Sequence, residues 1–212
     1  MITENKGRNK KKLILISGDL AAGKSTFSNK LSSEYQILCI NKDNIKEILG
    51  DNFPFKNREE NYQLSVATFD IFKYLTKKVM QVNIPFILES NFRDREFEEL
   101  EKISKEHSYD ILSIVVRSDL KELHKRFINR IKNENRHIVH QAVDYSKFED
   151  FEKQILSDRQ RNYPGEVIYL DSTSFKDLEN KETKQLLDKY LKWISNKTVT
   201  KTYIIVKVNY WP

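Results

Sequence analysis

The sequence contains little cysteine, glycine or proline: its 212 residues include one Cys, five Gly and four Pro. The single cysteine, Cys39, excludes a disulfide framework and a zinc site made of cysteines alone, and it fits a reducing compartment. Long apolar runs are absent near the start, where the longest spans residues 13–16 and is far too short for a signal-peptide core or a membrane-spanning helix. We therefore expect a soluble, cytoplasmic protein without a membrane partner.

Positive charge is in slight excess, because 37 Lys and Arg residues outweigh 31 Asp and Glu residues to give a net charge of +6. This charge suits anionic ligands but does not decide between nucleotides, nucleic acid and membranes. Hydrophobic residues make up 39% of the chain and aromatic residues 11%, which is enough for a core. We predict one domain over residues 13–212, preceded by a flexible basic arm over residues 1–12. The sequence does not fix the oligomeric state.

Short apolar runs alternate with longer helical patterns along the chain. Continuous apolar runs suit strands that are buried on both faces of a parallel sheet, and strand–helix alternation predicts crossover units. The expected fold class is α/β, a three-layer sandwich with a mainly parallel five-stranded sheet. The predicted strands span residues 13–16, 36–40, 86–88, 111–116 and 167–170, with a further strand over 202–208. The predicted helices span residues 24–33, 57–82, 94–106, 120–132, 145–161 and 174–195.

Residues 18–26, GDLAAGKST, match the phosphate-loop pattern G-x-x-x-x-G-K-[ST] and lie between a predicted strand and a predicted helix. Glycines let backbone N–H groups converge on phosphate oxygens, and the helix N-terminus adds partial positive charge. Lys24 is expected to reach the β- and γ-phosphates, and Ser25 to place its hydroxyl on Mg²⁺. The pattern predicts binding of a purine nucleoside triphosphate. The loop residues assigned to it are Gly18, Ala21, Ala22, Gly23, Lys24, Ser25 and Thr26.

The phosphate-loop pattern is shared by kinases, GTPases, motor ATPases and AAA+ machines, so other features have to separate these classes. A length of 212 residues leaves little room for the lid domain of an AAA+ machine. No Asn-Lys-x-Asp segment, which reads guanine in GTPases, follows the fourth predicted strand, where residues 116–119 read VRSD. Both observations favour a small kinase.

Two carboxylates follow predicted strands, where they would face the ligand crevice of an open α/β sheet. Asp43 comes after the second strand and could accept the proton of an attacking hydroxyl there. Its alternative role is to cap a helix that begins at Asn44. Glu89 ends the third strand after three apolar residues, the Walker-B form in which a carboxylate holds Mg²⁺ or its water shell. The alternative for Glu89 is to cap the next turn.

A basic helix is predicted after the fourth strand. Arg126 and Arg130 are four residues apart and therefore share one helix face, and Arg136 follows a turn or so beyond. Three guanidinium groups could form a mobile anion clamp over the transferring phosphate, although such a helix face can also be simply solvated. His137 and His140 have the spacing of metal ligands, but no nearby cysteine or acidic cluster completes a set.

Taken in order, the phosphate loop, residues 42–46 (KDNIK), residues 89–91 (ESN) and the arginine-rich segment resemble those of the small P-loop phosphotransferases. This group includes polynucleotide 5′-hydroxyl kinase, chloramphenicol phosphotransferase and the zeta toxins. The resemblance spans about residues 13–170 and implies a P-loop kinase fold with a helical lid at about residues 119–150.

The resemblance also implies roles for single residues. In the group, the aspartate matched by Asp43 is the general base, and the acid matched by Glu89 works with Mg²⁺ or the substrate. By the same matching, Lys46 and Asn91 are assigned with Asp43 to the acceptor. The polynucleotide kinases carry Asp-Thr-Asn in place of ESN, and an arginine in place of Lys46. Because lysine cannot make a bidentate fork to phosphate, a nucleic-acid 3′-phosphate is not the favoured ligand.

We predict an ATP- and Mg²⁺-dependent kinase that phosphorylates a hydroxyl of a small molecule. Asp43 would deprotonate the acceptor, and Arg126 and Arg130 would neutralise charge as the phosphoryl group transfers. The acceptor pocket is expected between the end of the second strand and the helix over residues 57–82. Two alternatives stay open: a nucleic-acid 5′-hydroxyl end kinase, which the net charge favours, and a non-catalytic ATP-binding switch.

Overall fold

The computed structural model describes residues 11–133, 137–140, 145–174 and 181–195, with side chains as far as residue 191. Residues 1–10 of the predicted basic arm and the predicted strand over residues 202–208 lie outside these ranges. The elements are β1 (Lys12–Gly18), α1 (Lys24–Tyr35), β2 (Leu38–Asn41), α2 (Lys42–Asn52), α3 (Arg58–Val82), β3 (Phe86–Glu89), α4 (Asp94–His107), β4 (Asp110–Arg117), α5 (Leu120–Asn133), α6 (Phe148–Asp158), β5 (Glu166–Asp171) and α7 (Lys181–Ser195). A 3₁₀ turn over Ile138–His140 lies between α5 and α6.

The five strands form one parallel sheet in the order β2-β3-β1-β4-β5. The parallel five-stranded sheet predicted from the sequence is confirmed. β1 lies at the centre, and the phosphate-loop segment leaves it beside the ends of β3 and β4. In the register of the sheet, Glu89 is opposite Asn41 on one side and Ile16 on the other. The carboxyl ends of β1, β2 and β3 therefore converge on one crevice, as expected for an open α/β sheet.

Side chains alternate between the two faces of the sheet and build two apolar clusters. Along β1, Leu13 and Leu15 pack with residues of α3 and α4, whereas Ile14 and Ile16 pack with residues of α1, α5, α6 and α7. All four of these side chains are fully buried. Helices therefore cover the sheet on both faces, and the predicted three-layer architecture is confirmed. Within the described part of the chain, no helix is long and apolar enough to cross a bilayer.

Several element bounds differ by one to three residues from the sequence prediction; β2, for example, begins at Leu38 and not at residue 36. Three differences bear on the site or on the predicted domain bounds. The set of predicted helices omits α2, which follows β2 without an intervening turn. The predicted helix over residues 145–161 is too long, because the backbone at Lys147 is extended and α6 begins only at Phe148. Lys12, which was assigned to the basic arm, instead opens β1 as part of the sheet. None of these differences moves the carboxyl ends of the strands that form the crevice.

Candidate active site

The phosphate loop has the strand–turn–helix context that its pattern requires. Gly18 ends β1 at a φ of 127°, and a Cβ atom there would lie 2.0 Å from the carbonyl oxygen of Val116. Only glycine fits this position. Ala21 and Gly23 also have positive φ values, 64° and 84°, so the chain turns sharply before α1 begins at Lys24. The loop therefore delivers the helix N-terminus to the crevice, where it favours an anion.

Lys24 lies across the loop that precedes it. Its Nζ donates to the carbonyl oxygen of Asp19 at 2.7 Å and to that of Gly18 at 3.4 Å. Burial lowers the pKa of Lys24, whereas the nearby charges of Glu89 and Asp43 raise it. A buried ammonium that backbone carbonyls hold, and on which the charges of two carboxylates act, is placed to bind phosphate oxygens.

Ser25 and Glu89 meet at the sequence-predicted metal position. Ser25 Oγ donates to Glu89 Oε2 at 3.1 Å, and the Asn41 amide donates to the same oxygen. Burial raises the pKa of Glu89, while Lys24 opposes this shift. These partners hold the carboxylate toward the phosphate loop, and the proposed capping of the turn after β3 is not its role.

The donor set at this position fits Mg²⁺. A hydroxyl and a buried carboxylate offer hard oxygen ligands, and Mg²⁺ is commonly held by one or two protein oxygens together with substrate phosphates and water. Among the described residues, no three His, Cys, Asp or Glu side chains cluster into an all-protein metal site. Ser25 and Glu89 are therefore the groups that would hold the ion.

Asp43 is not the cap of its helix. Asn41 fills that role, since its Oδ1 accepts from the backbone N–H groups of Asp43 at 2.8 Å and Asn44 at 3.2 Å, and α2 begins at Lys42. The alternative in which Asp43 caps a helix beginning at Asn44 is thus wrong. Asp43 lies in the first turn of α2 with its side chain exposed toward the crevice.

Two adjoining cavities occupy the crevice. The P-loop cavity has a volume of about 520 Å³. Most of the predicted site residues line it, among them Lys24, Ser25, Thr26, Asp43, Glu89, Asn91, Arg126 and Arg130. The α3 cavity, about 240 Å³, lies between α2, α3 and the start of α4, and its lining includes Asp43, Lys46, Tyr62, Phe69, Asn91 and Arg93. Asp43, Asn91 and His140 line both cavities. They therefore mark the junction between the two cavities.

The two arginines of α5 have different surroundings. Arg126 is largely buried, where its guanidinium donates to the Thr173 carbonyl oxygen at 2.8 Å and to Glu122 Oε1 at 3.1 Å. Arg130 is exposed, and its charge lowers the pKa of Lys24. Of the two arginines, Arg130 is the one whose charge is among the causes of the pKa shift of Lys24. Arg136 lies outside the described residues.

The histidines predicted at metal spacing instead contact α2. His137 Nε2 lies 3.0 Å from Asp51 Oδ1, and His140 Nε2 lies 2.9 Å from Glu47 Oε1. Val139, between them, is buried and accepts from Lys46 Nζ at 3.2 Å through its carbonyl oxygen. These contacts join the 3₁₀ turn to the helix that carries Asp43.

Arg159 forms an ion pair with the buried carboxylate of Asp19, a contact that sequence reasoning missed. Asp19, the second residue of the phosphate loop, is only 2% exposed. Arg159 Nη2 lies 2.6 Å from Asp19 Oδ2, its Nε lies 3.1 Å from Oδ1, and the backbone N–H of Ser118 also donates to the carboxylate. The pair fastens the loop to the end of β4 and to the residue after α6. The sequence held one signal for this pair: an aspartate in a phosphate-loop pattern predicts a cationic partner, because a buried carboxylate needs a cation nearby.

Replacing Arg159 with alanine is expected to lower the free energy of unfolding by about 3 kcal/mol, because Asp19 would keep a buried charge without its cation. The double variant Asp19→Asn/Arg159→Ala is expected to recover part of this loss, since no buried charge remains. Urea denaturation of both variants measures the difference. A loss under about 1 kcal/mol for Arg159→Ala would show that the pair does not hold the loop.

The chain matches a known protein family and is similar to solved structures. A family model described as an AAA domain matches residues 14–157. A protein from Chloroflexus aurantiacus J-10-fl, described as a candidate kinase, is similar in structure with a TM-score of 0.73 and 23% identity over 85% of this chain and 98% of that chain. No curated protein sequence matches.

Two further similar structures are a shikimate kinase and a sugar kinase. The shikimate kinase from Bacteroides thetaiotaomicron has a TM-score of 0.50 and 16% identity, over 85% of this chain and 98% of that chain. The sugar kinase from Janibacter sp. HTCC2649 has a TM-score of 0.50 and 12% identity, over 87% of this chain and 94% of that chain. At these identities the likeness establishes a shared fold.

The comparisons confirm the P-loop kinase fold expected from the resemblance. The family match spans the phosphate loop and the sheet but does not test whether a lid domain is present. That the chain has little room for an AAA+ lid domain therefore stays a prediction. Because the matched range covers more than half of the chain, the protein belongs to the family of P-loop proteins described as the AAA domain.

Proposed function

We propose that the protein is an ATP- and Mg²⁺-dependent kinase that transfers the γ-phosphoryl group of ATP to a hydroxyl of a small molecule in the cytoplasm. One observation carries this proposal: Asp43 lines both the P-loop cavity and the α3 cavity. A carboxylate at the junction can take a proton from a group in one cavity while that group attacks a phosphoryl group in the other.

ATP would occupy the P-loop cavity. Residues of the phosphate loop and Lys24 would bind its phosphate oxygens, and Ser25 and Glu89 would hold Mg²⁺ beside them. When bound, Mg²⁺ would neutralise charge on those oxygens. Arg126 would contact the nucleotide from the side of Thr173, since its guanidinium is held there. These contacts orient the nucleotide with its terminal phosphate toward Asp43.

The acceptor would occupy the α3 cavity and present its hydroxyl to Asp43. Asp43 takes the hydroxyl proton, the acceptor oxygen forms a bond to the γ-phosphorus, and the bond from that phosphorus to the β–γ bridging oxygen breaks. ADP leaves with that electron pair. Asn91, whose side chain also lines both cavities, would orient the hydroxyl, and Arg130 would stabilise charge on the transferring group.

The α3 cavity supports a small acceptor. Tyr62 and Phe69 line it, whereas Phe72 is fully buried in the core and Tyr74 lies 60% exposed outside it. Of the four aromatic side chains of α3, two therefore line the cavity in which the acceptor is expected. A volume of about 240 Å³ between α2, α3 and the start of α4 suits a small molecule better than a nucleic-acid strand.

The proposal is tested by ADP formation and by mass analysis of an acceptor panel that includes sugars, nucleosides, hydroxy acids, antibiotics and oligonucleotides. We expect ATP-dependent addition of one phosphoryl group to a small hydroxyl compound, with a need for Mg²⁺. Phosphorylation confined to oligonucleotide ends, with affinity that falls steeply as salt rises, would favour the end kinase instead. ATP binding without turnover over the whole panel would favour the switch.

Arg130→Ala is expected to lower kcat more than it lowers ATP affinity, because its side chain is exposed and gains its full interaction only with the transferring charge. We expect a loss in kcat of about tenfold or more, in line with the removal of one charge-assisted hydrogen bond. Steady-state kinetics and ATP titration of the same preparation separate the two effects. An unchanged kcat with weakened ATP binding would mean that Arg130 acts only in nucleotide binding.

A further inference from the structure

Three carboxylates of the α3 cavity already have cationic partners. Lys42 Nζ lies 2.5 Å from Glu96 Oε1. Lys73 Nζ lies 2.9 Å from Asp70 Oδ1 and 2.7 Å from Glu99 Oε2. In these ion pairs, the positive and negative charges on the walls of the cavity neutralise each other. They leave little charge for the recognition of a ligand.

Lys46 and Arg93 face the same cavity without such a partner. Neither forms an ion pair with a carboxylate of the described residues. Lys46 Nζ donates to the Val139 carbonyl oxygen, and the Arg93 guanidinium lies over the Tyr62 ring, 5.6 Å from its centroid. Two further lining residues also have acidic partners, since Arg95 pairs with Glu99 and His140 contacts Glu47. Beyond these groups, the described lining presents the cations of Lys46 and Arg93 and the carboxylate of Asp43.

The two cations are close enough to act on each other. Burial lowers the pKa of Lys46; the charge of Asp43 opposes this shift, and the charges of Lys42 and Arg93 add to it. Like charges that face one cavity repel unless an anion lies between them. An oxyanion would replace that repulsion with charge-assisted hydrogen bonds, the stronger class of hydrogen bond in proteins.

We infer that the acceptor carries an oxyanion, a carboxylate or a phosphate monoester, which Arg93 and Lys46 bind while a hydroxyl of the same molecule meets Asp43. The inference rests on the proposed kinase function and names its substrate class: a small hydroxy compound with an anionic group. The loop after β3 supports this placement, because Asn91 lines both cavities, Phe92 is fully buried and Arg93 lines the α3 cavity.

Arg93 supplies what Lys46 lacks. A guanidinium has a planar fork of donors that matches two oxygens of a carboxylate or phosphate, whereas an ammonium acts as a point charge. Arg95, in the first turn of α4, provides a matched control that also borders the α3 cavity. Its side chain is 87% exposed and pairs with Glu99 at 3.3 Å, so its removal leaves the unpaired cations of the cavity in place.

The first test measures anion binding without turnover. Protein saturated with a non-hydrolysable ATP analogue and Mg²⁺, which fills the P-loop cavity, is titrated with inorganic phosphate by calorimetry. We expect Arg93→Gln to weaken phosphate binding about 10- to 100-fold, Arg93→Lys to recover part of the loss, and Arg95→Gln to bind like the wild type. Equal phosphate affinity in the wild type and Arg93→Gln, or no binding by the wild type, would overturn the inference.

The second test separates this inference from the proposed function. Acceptors are compared as matched neutral, carboxylate and phosphate compounds, such as glycerol, glycerate and glycerol 3-phosphate. Phosphorylation of an anionic member that drops at least about tenfold in Arg93→Gln supports both, and the preferred member identifies the oxyanion. If neutral acceptors are phosphorylated at a rate that Arg93→Gln does not change, the anion site is overturned and the kinase proposal stands. Arg93-dependent phosphate binding with no phosphorylation of any acceptor would leave the anion site and remove the kinase.

Discussion

Replacing Lys24 with alanine is expected to reduce phosphotransfer by about 10²- to 10³-fold or more while the fold stays intact. Lys24 is the buried ammonium at the N-terminus of α1, and the charges of Glu89 and Asp43 raise its pKa against the effect of burial. Its loss removes charge stabilisation where the phosphates of ATP would lie. Because burial disfavours the charged form of Lys24, the alanine variant should not lose stability through the missing charge.

The matched control is Lys30→Ala, an exposed lysine further along the same helix. We expect this control to keep both turnover and ATP-linked thermal stabilisation, whereas Lys24→Ala loses both. Phosphotransfer assays and melting curves with and without ATP measure the difference. Survival of ATP turnover and of the thermal shift in Lys24→Ala would place the nucleotide site elsewhere in the molecule.

Asp43→Asn is expected to reduce phosphotransfer at least about a hundredfold, with ATP affinity and melting temperature nearly unchanged. Loss of a general base typically costs about 10²- to 10⁴-fold in rate. Stability should not change, because Asn41 and not Asp43 caps α2. ATP binding should not change either, since Asp43 lies at the junction of the cavities and the phosphate loop supplies the binding groups.

Asn41→Ala is the contrasting variant for this prediction. It removes the side chain that accepts from two backbone N–H groups, so it should lower stability by about 1 kcal/mol, unlike Asp43→Asn. Paired melting and kinetic measurements on both variants separate capping from catalysis. Near wild-type phosphorylation by Asp43→Asn would remove Asp43 from the mechanism.

Local sequence signals were sufficient for the parts of the site that lie within one short segment. The phosphate loop combines spacing, a preceding apolar run and a following helix, and it has the predicted context between β1 and α1. Glu89 was found the same way, because a carboxylate at the end of a buried run can face only one edge of a parallel sheet. The sequence also indicated the sheet itself, since continuous apolar runs are typical of strands buried on both faces.

The features that sequence reasoning missed depend on contacts between distant segments. Asp19 and Arg159 are 140 residues apart, and nothing in either neighbourhood indicates the other. The role inferred for Arg93 was missed because it depends on ion pairs between distant segments, which occupy the charges around the α3 cavity other than those of Asp43 and Lys46. The start of α2 was misjudged for a local reason: both Asn41 and Asp43 are good caps, and only the structure shows which one accepts the N–H groups.

The most direct test of the kinase proposal follows the terminal phosphate of ATP. Wild-type protein is incubated with Mg²⁺ and ATP labelled at the γ-phosphoryl group, together with the acceptor panel, and the labelled products are separated. The account predicts that label appears in a phosphomonoester of a small hydroxy acceptor that carries an oxyanion, and that this product is lost in Lys24→Ala and Asp43→Asn. Label that stays on ATP, or that appears only as inorganic phosphate in wild type and Asp43→Asn alike, would contradict it.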